Sequence, residues 1–114
     1  MEPNTLKPSE LAQRAFNRIK EKENWLQGRY AEDKIGLCHP RNPEACKFCS
    51  IGALLSENPV YDYYYGSVYD ALLEIAKDMH EGCENPMWFN DNHTHETVCE
   101  MWEKTIDSLK SKGL

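Results

Sequence analysis

The chain has 114 residues, with 19 acidic and 13 basic side chains and a formal net charge of −6. This length suits one domain with a substantial core, and the negative charge repels phosphate backbones, so we expect no nucleic-acid binding. No apolar run is long enough to cross a membrane, and the N-terminus has no secretory signal pattern. We therefore expect a cytoplasmic protein without membrane association, whose five cysteines are free thiols.

The first third of the chain is predicted to hold a loose arm and one helix. Met1–Pro8 is interrupted by two prolines, and Ser9 is a suitable N-cap for a helix over about Glu10–Gln27. The predicted organisation is thus an arm over 1–8 and a single domain over 9–114. A loop rich in glycine and proline then follows over 33–43.

The segment Pro43–Ser56 reads as a helix that is apolar almost all round, with Asn42 as its cap. Such a helix is normally buried, so we place it at the centre of the fold. Its small residues form a narrow strip at helical spacing, which predicts the close approach of another helix. We expect three structural positions to be nearly inaccessible: Cys49, Gly52 and Ala53.

Two further helices are predicted in the second half. The first runs from Gly66 to about Glu81, and the second begins after Thr94, a suitable N-cap. Between them, 82–93 is predicted to be a second long loop, in which Asn90 and Asp91 have the structural role of holding a turn. The fold class is therefore all-α, with about four helices around the buried central one and two long loops.

The densest aromatic group precedes an acidic stripe. Residues 57–107 hold twelve acidic side chains against Lys77 and Lys104. Tyrosines beside such a field can anchor a partner protein with a basic surface. The hypothesis is an interaction surface for another protein, and self-association through the same tyrosines is its nearest competitor. Its members are Tyr61, Tyr63, Tyr64, Tyr65, Asp70, Glu74 and Asp78.

Metal binding and catalysis are the alternatives. Cys46 and Cys49 lie within an apolar segment, where two thiols are more simply buried side chains than zinc ligands, so we expect no metal and no other cofactor. The rival hypothesis is a small enzyme or metal-binding domain that uses loops 33–41 and 86–95. An Asp33–His39 or Asp91–His93 pair that lines one cleft with Cys38 or Cys49 would favour it. No residue is assigned as catalytic.

Several of these residues together resemble a domain-of-unknown-function family of small bacterial and bacteriophage proteins. The resemblance rests on a Cys-x-x-Gly-Ala-Leu segment from Cys49, an aromatic-Asn-Asp turn at Asn90, and Trp25 with the Gly and Asp residues after it. The resemblance implies no activity and gives no role to Cys46. It implies a small accessory protein, phage-encoded, that modulates a host component.

Overall fold

A computed structural model describes residues 6–57 and 65–114, with the backbone alone at Tyr65. Within these ranges the chain is mostly helical, with a small antiparallel sheet, so it is only approximately all-α. No helix of the described residues is long and apolar enough to span a membrane. The elements are α1 Pro8–Ile19, a 3-10 turn Lys22–Asn24, β1 Ala31–Glu32, β2 Lys47–Phe48, α2 Ser50–Glu57, α3 Tyr65–Met79, α4 Pro86–Asn92 and α5 His95–Ser111.

The core lies between α1, α2, α3 and α5. Helix α1 packs on α2 and α5, and α3 packs on α5. The apolar side chains of these helices recur at intervals of three and four residues, which turns one face of each inward. The rings of Phe16 on α1 and Trp102 on α5 stack with centroids 6.4 Å apart. Trp102 is fully buried, together with Leu11, Leu54, Leu72 and Leu109.

The predicted central helix is wrong in its first half, because α2 begins only at Ser50. Phe48 instead belongs to β2 and pairs with Ala31 of β1. Asn42 does not cap a helix; its side chain accepts a hydrogen bond from the Glu44 N–H at 2.9 Å. A short apolar run is compatible with both the helical and the strand period. Here pairing with β1 makes residues 47–48 a strand.

The first predicted helix is too long, since α1 ends at Ile19. The residues that follow, 20–24, offer no apolar side chain to bury, and Leu26 N–H donates instead to the Phe48 carbonyl at 3.0 Å. The start also differs, because Lys7 and not Ser9 is the N-cap, and Glu10 accepts from the Lys7 N–H at 2.8 Å. Most of the predicted arm lies outside the described residues.

The second predicted loop contains a helix, α4. Asn85 caps it by accepting from the Trp88 N–H at 2.8 Å, and Pro86 occupies its first position. The expectation of a turn at Asn90 is therefore wrong. The prediction for the last helix is confirmed, because Thr94 accepts from the Thr97 N–H at 3.3 Å at the start of α5.

Candidate functional site

A cluster of polar groups joins four separate parts of the chain. The Asn90 Oδ1 atom accepts from the Trp25 Nε1–H at 2.8 Å, the Ser50 N–H at 3.0 Å and the Ser50 hydroxyl at 2.9 Å. The Ser50 hydroxyl in turn accepts from the Trp102 Nε1–H at 3.0 Å. Asn90, Ser50 and Trp102 are all fully buried. We call these four residues the Asn90 cluster; its groups satisfy one another away from water.

Asn90 and Asp91 also hold the chain around Trp25. The Asn90 amide donates to the Leu26 carbonyl at 3.1 Å, and the Asp91 carboxylate accepts from the Gly28 N–H at 3.0 Å. Gln27 completes the connection by donating to the Asn90 carbonyl at 3.1 Å. The aromatic-Asn-Asp segment thus fixes the path of 25–28 against the N-terminal end of α2.

Cys49 is the N-cap of α2. Its thiol accepts from the Gly52 N–H at 3.3 Å, and its carbonyl accepts from the Ala53 N–H at 2.9 Å. The thiol lies 3.6 Å from the thioether sulfur of Met87. Because it is buried among such neighbours, its pKa rises to about 11, which disfavours the reactive thiolate. The surroundings of Cys49 therefore suit packing and capping.

Gly52 is buried against a main-chain carbonyl. A Cβ atom at this position would lie 1.7 Å from the Tyr30 oxygen, so no larger residue fits without moving the backbone. The same Tyr30 carbonyl accepts from the Cys49 N–H at 3.2 Å. The strip of small residues therefore admits an irregular segment, not the helix that we expected. Burial of Cys49, Gly52 and Ala53 is confirmed.

The polar residues of loop 33–41 hold turns. The Asp33 carboxylate accepts from the N–H groups of Ile35 and Gly36 at 2.8 and 3.0 Å, and these bonds lower its pKa. His39 Nδ1 accepts from the Arg41 N–H at 3.0 Å. Both side chains are thus already engaged with the backbone.

Asp91 and His93 do line one groove, of about 640 Å³, between the segment at Trp25 and the start of α5. Neither Cys38 nor Cys49 is part of its lining. Within residues 6–57 and 65–114, no group of three or more His, Cys, Asp or Glu side chains is placed to hold a metal ion. The arrangement that would favour an enzyme is therefore not assembled among the described residues.

A cysteine and a histidine are in contact on α5, at i, i+4 spacing. Cys99 Sγ lies 3.4 Å from His95 Nε2. That nitrogen also lies 2.7 Å from the Ile19 carbonyl, which can only accept, so the contact suits the tautomer that has its proton on Nε2. Burial, the largest cause, and the charges of Glu103 and Glu21 raise the pKa of Cys99.

The acidic stripe lies on the surface of α3. Asp70, Glu74 and Asp78 are all exposed. Glu74 has a cation nearby, the Lys112 ammonium at 3.9 Å, and this contact is itself exposed to solvent. Of the predicted tyrosines, Tyr61, Tyr63 and Tyr64 lie outside the described residues, and Tyr65 begins α3. We call the three carboxylates the acidic face of α3.

A depression of about 480 Å³ adjoins this helix, and the sequence reasoning did not find it. Tyr69, which directly precedes Asp70 in the chain, forms one wall. Its lining comes from four separate segments of the chain, so no local pattern could reveal it. We call it the Tyr69 groove, and its residues are Tyr30, Ile51, Tyr69, Asn85 and Met87.

The fold and these sites define a small, mostly helical protein with a polar cluster at its centre and a charged helix face at its surface. Comparison with known families makes the assignment more specific. A family of unknown function, DUF6197, matches residues 3–108, and the chain belongs to this family. No curated protein and no solved structure matches the chain.

Proposed function

We propose that this protein is a non-enzymatic, protein-binding modulator that docks a basic partner surface on the acidic face of α3. The observation that supports this most directly is that three carboxylates are exposed on one 15-residue helix, while among residues 6–57 and 65–114 the ion pairs reach only one of them, Glu74, which lies 3.9 Å from the Lys112 ammonium. Carboxylates that form few ion pairs within the described part of the chain remain available to steer an oppositely charged protein.

The Tyr69 groove supplies what charge alone lacks. Binding energy in protein interfaces concentrates where aromatic or long side chains enter a desolvated depression. Tyr30 and Tyr69 present aromatic rings here, and Met87 adds a polarisable thioether. An arginine or lysine of the partner would bury its aliphatic stem in this groove and keep its charge in solvent, while the carboxylates of α3 attract other basic side chains of the same partner.

We propose further that this is a phage-encoded accessory protein that acts on a host protein in the bacterial cytoplasm. The resemblance in sequence supports the phage setting by analogy. The acidic surface supports the choice of a basic protein as partner, because the same field repels nucleic acid. The tyrosines at 61, 63, 64 and 65 would extend the interface beyond the start of α3.

The test is affinity capture from bacterial host lysate at low salt, followed by titration calorimetry with the purified partner. Asp70→Asn/Glu74→Gln/Asp78→Asn removes three charges from α3. Its matched control, Glu100→Gln/Glu103→Gln/Asp107→Asn, removes three from exposed positions of α5. We expect the α3 variant to weaken binding roughly tenfold or more and the α5 variant to change it far less.

Tyr30→Ala tests the groove, since it removes an aromatic wall but keeps the carbonyl against Gly52. We expect weaker binding and a faster dissociation rate. If both charge variants lost the same affinity, only net charge would matter, and the assignment of the binding surface to α3 would be wrong. If the wild type captures no partner at low salt, the proposed function itself is wrong.

A further inference from the structure

The small sheet has an open edge at Leu37. An isolated antiparallel bridge joins Glu32 to Leu37, and it is held by the Cys38 N–H to Ala31 carbonyl bond at 3.2 Å and the Asp33 N–H to Gly36 carbonyl bond at 2.9 Å. In a bridge of this kind the two bridged residues do not bond to each other, so the N–H and C=O of Leu37 point away from β1. Neither group has a hydrogen-bond partner among residues 6–57 and 65–114.

The side chains at this edge are apolar and exposed. Ile35 is 97% exposed and Leu37 is 69% exposed, the two highest values among the large hydrophobic side chains described. The Asp33 carboxylate fixes the tip by its bonds to the Ile35 and Gly36 N–H groups. Proteins usually protect an open edge with charge or with a bulge, and a rigid edge carrying leucine is instead suited to pairing.

We propose that two copies of this chain pair antiparallel across this edge, about a two-fold axis at Leu37. On such an axis one residue must supply both groups: the Leu37 N–H of each copy donates to the Leu37 carbonyl of the other. Ile35 lies in the turn that precedes this edge, so the main-chain pairing is centred on Leu37, and the exposed Ile35 side chains flank it.

A second copy fits this edge better than a long extended peptide. Pro40 has no N–H, and the His39 carbonyl already accepts from the Asn42 N–H at 2.9 Å, so a ladder cannot continue past this point. A short, self-complementary pairing needs no continuation.

The local charge also suits a second copy. Residues 29–47 carry four basic and three acidic side chains, so this part of the chain is close to neutral. Two copies, each with a formal net charge of −6, therefore meet here with little local repulsion.

The first experiment measures mass by light scattering and sedimentation equilibrium from about 10 µM to about 1 mM. We expect a concentration-dependent dimer. Leu37→Lys places two like charges on the axis, and Ile35→Lys charges the tip; each should weaken the dimer roughly tenfold or more. The matched control is Leu114→Lys, the same substitution at a 39% exposed leucine outside this edge, which should dimerise like the wild type.

The second experiment follows amide hydrogen exchange at Leu37 by NMR, which reports on the main-chain bond and not on side-chain burial. Exchange of this amide should slow as the concentration rises, and the Ile35→Lys variant should reverse the effect. A monomer at about 1 mM, a dimer unchanged by Leu37→Lys, or a Leu37 amide that exchanges freely in the dimer would each overturn the proposal. A dimer that survives Leu37→Lys would redirect attention to the tyrosines before α3.

Discussion

The Asn90 cluster and the acidic face of α3 place polar side chains in opposite surroundings. In the cluster, donors and acceptors satisfy one another, and Ser50, Asn90 and Trp102 are fully buried. On α3 the carboxylates are exposed, and among the described residues only Glu74 has an ion-pair partner. The difference shows two uses of polar side chains: those of the cluster hold separate segments of the chain together, and those of the helix face are exposed to solvent, which is why we propose them as a binding surface.

The largest expected effect is at Gly52. Gly52→Ala forces a methyl group into the Tyr30 carbonyl, where the Cβ would lie 1.7 Å from the oxygen. Because the obstacle is backbone, we expect a loss of about 3 kcal/mol or more in the free energy of unfolding, measured by urea denaturation.

The matched control lies on α3. Gly66→Ala meets nothing within 4 Å and should stabilise the helix by up to about 1 kcal/mol. If both glycines tolerated alanine equally, the close contact between the Tyr30 carbonyl and Gly52 of α2 would be contradicted.

The next effect is at Asn90. Asn90→Ala leaves the Trp25 indole N–H, the Ser50 N–H and the Leu26 carbonyl without a partner in a buried site. We expect a loss of about 3 kcal/mol in the free energy of unfolding, because each unpaired buried group loses its hydration without compensation.

Asn92→Ala is the comparison, since Asn92 is exposed and makes one hydrogen bond, to the Trp88 carbonyl at 2.8 Å. It should cost about 1 kcal/mol or less. Equal losses in the two variants would contradict the central role of the cluster.

A smaller effect concerns pH. Burial, and secondarily the charge of His80, lowers the pKa of His93, whose buried Nε2 atom has no hydrogen-bond partner in the part of the chain that the structure describes. The folded state therefore favours the neutral ring. The free energy of unfolding is highest above the pKa of the histidine in the unfolded chain, which is about 6.5. It falls as the pH drops through that value, because the unfolded chain then binds a proton that the folded chain does not.

The measurement is the free energy of unfolding between about pH 5 and about pH 8. His93→Gln should flatten this dependence, whereas the same change at the exposed His39 should not. A wild-type protein whose stability rises as the pH falls through this range would contradict the assigned sign.

The smallest effect on the free energy of unfolding is expected at the acidic face of α3. Asp70→Asn/Glu74→Gln/Asp78→Asn should change the free energy of unfolding by no more than about 0.5 kcal/mol. Any change should be a small gain, since it relieves repulsion in an acidic chain. A large loss in a thermal melt would mean that these carboxylates stabilise the fold, and they would then be poor candidates for a docking surface.

Sequence reasoning succeeded where a long amphipathic period coincided with a cap, as in α5 after Thr94. It failed at α4, because Asn90-Asp91-Asn92 is typical of a turn and hid the cap at Asn85. It failed at the start of the supposed central helix, because two-residue strands such as Lys47–Phe48 have no period to detect.

The candidate sites could also be predicted only where they lie within one helix. Exposure and helical spacing placed the acidic face of α3 on one helix, as the sequence indicated. Asn90 was assigned a structural role, but its partners could not be foreseen, because Trp25 and Ser50 are distant in the chain. The Tyr69 groove was missed for the same reason: residues from separate segments meet only through tertiary packing.

The Asn90 cluster also has a consequence for how the chain folds. Asn90 bonds to Trp25 and Ser50, which are 65 and 40 residues away in the sequence. The helices can form from local contacts, but the cluster requires two long loops to close, and loop closure is slow because its entropic cost precedes any gain. We therefore expect the cluster to assemble late, on the native side of the folding barrier. Its hydrogen bonds would then act mainly to slow unfolding, so that they determine the lifetime of the folded protein more than the speed of its formation.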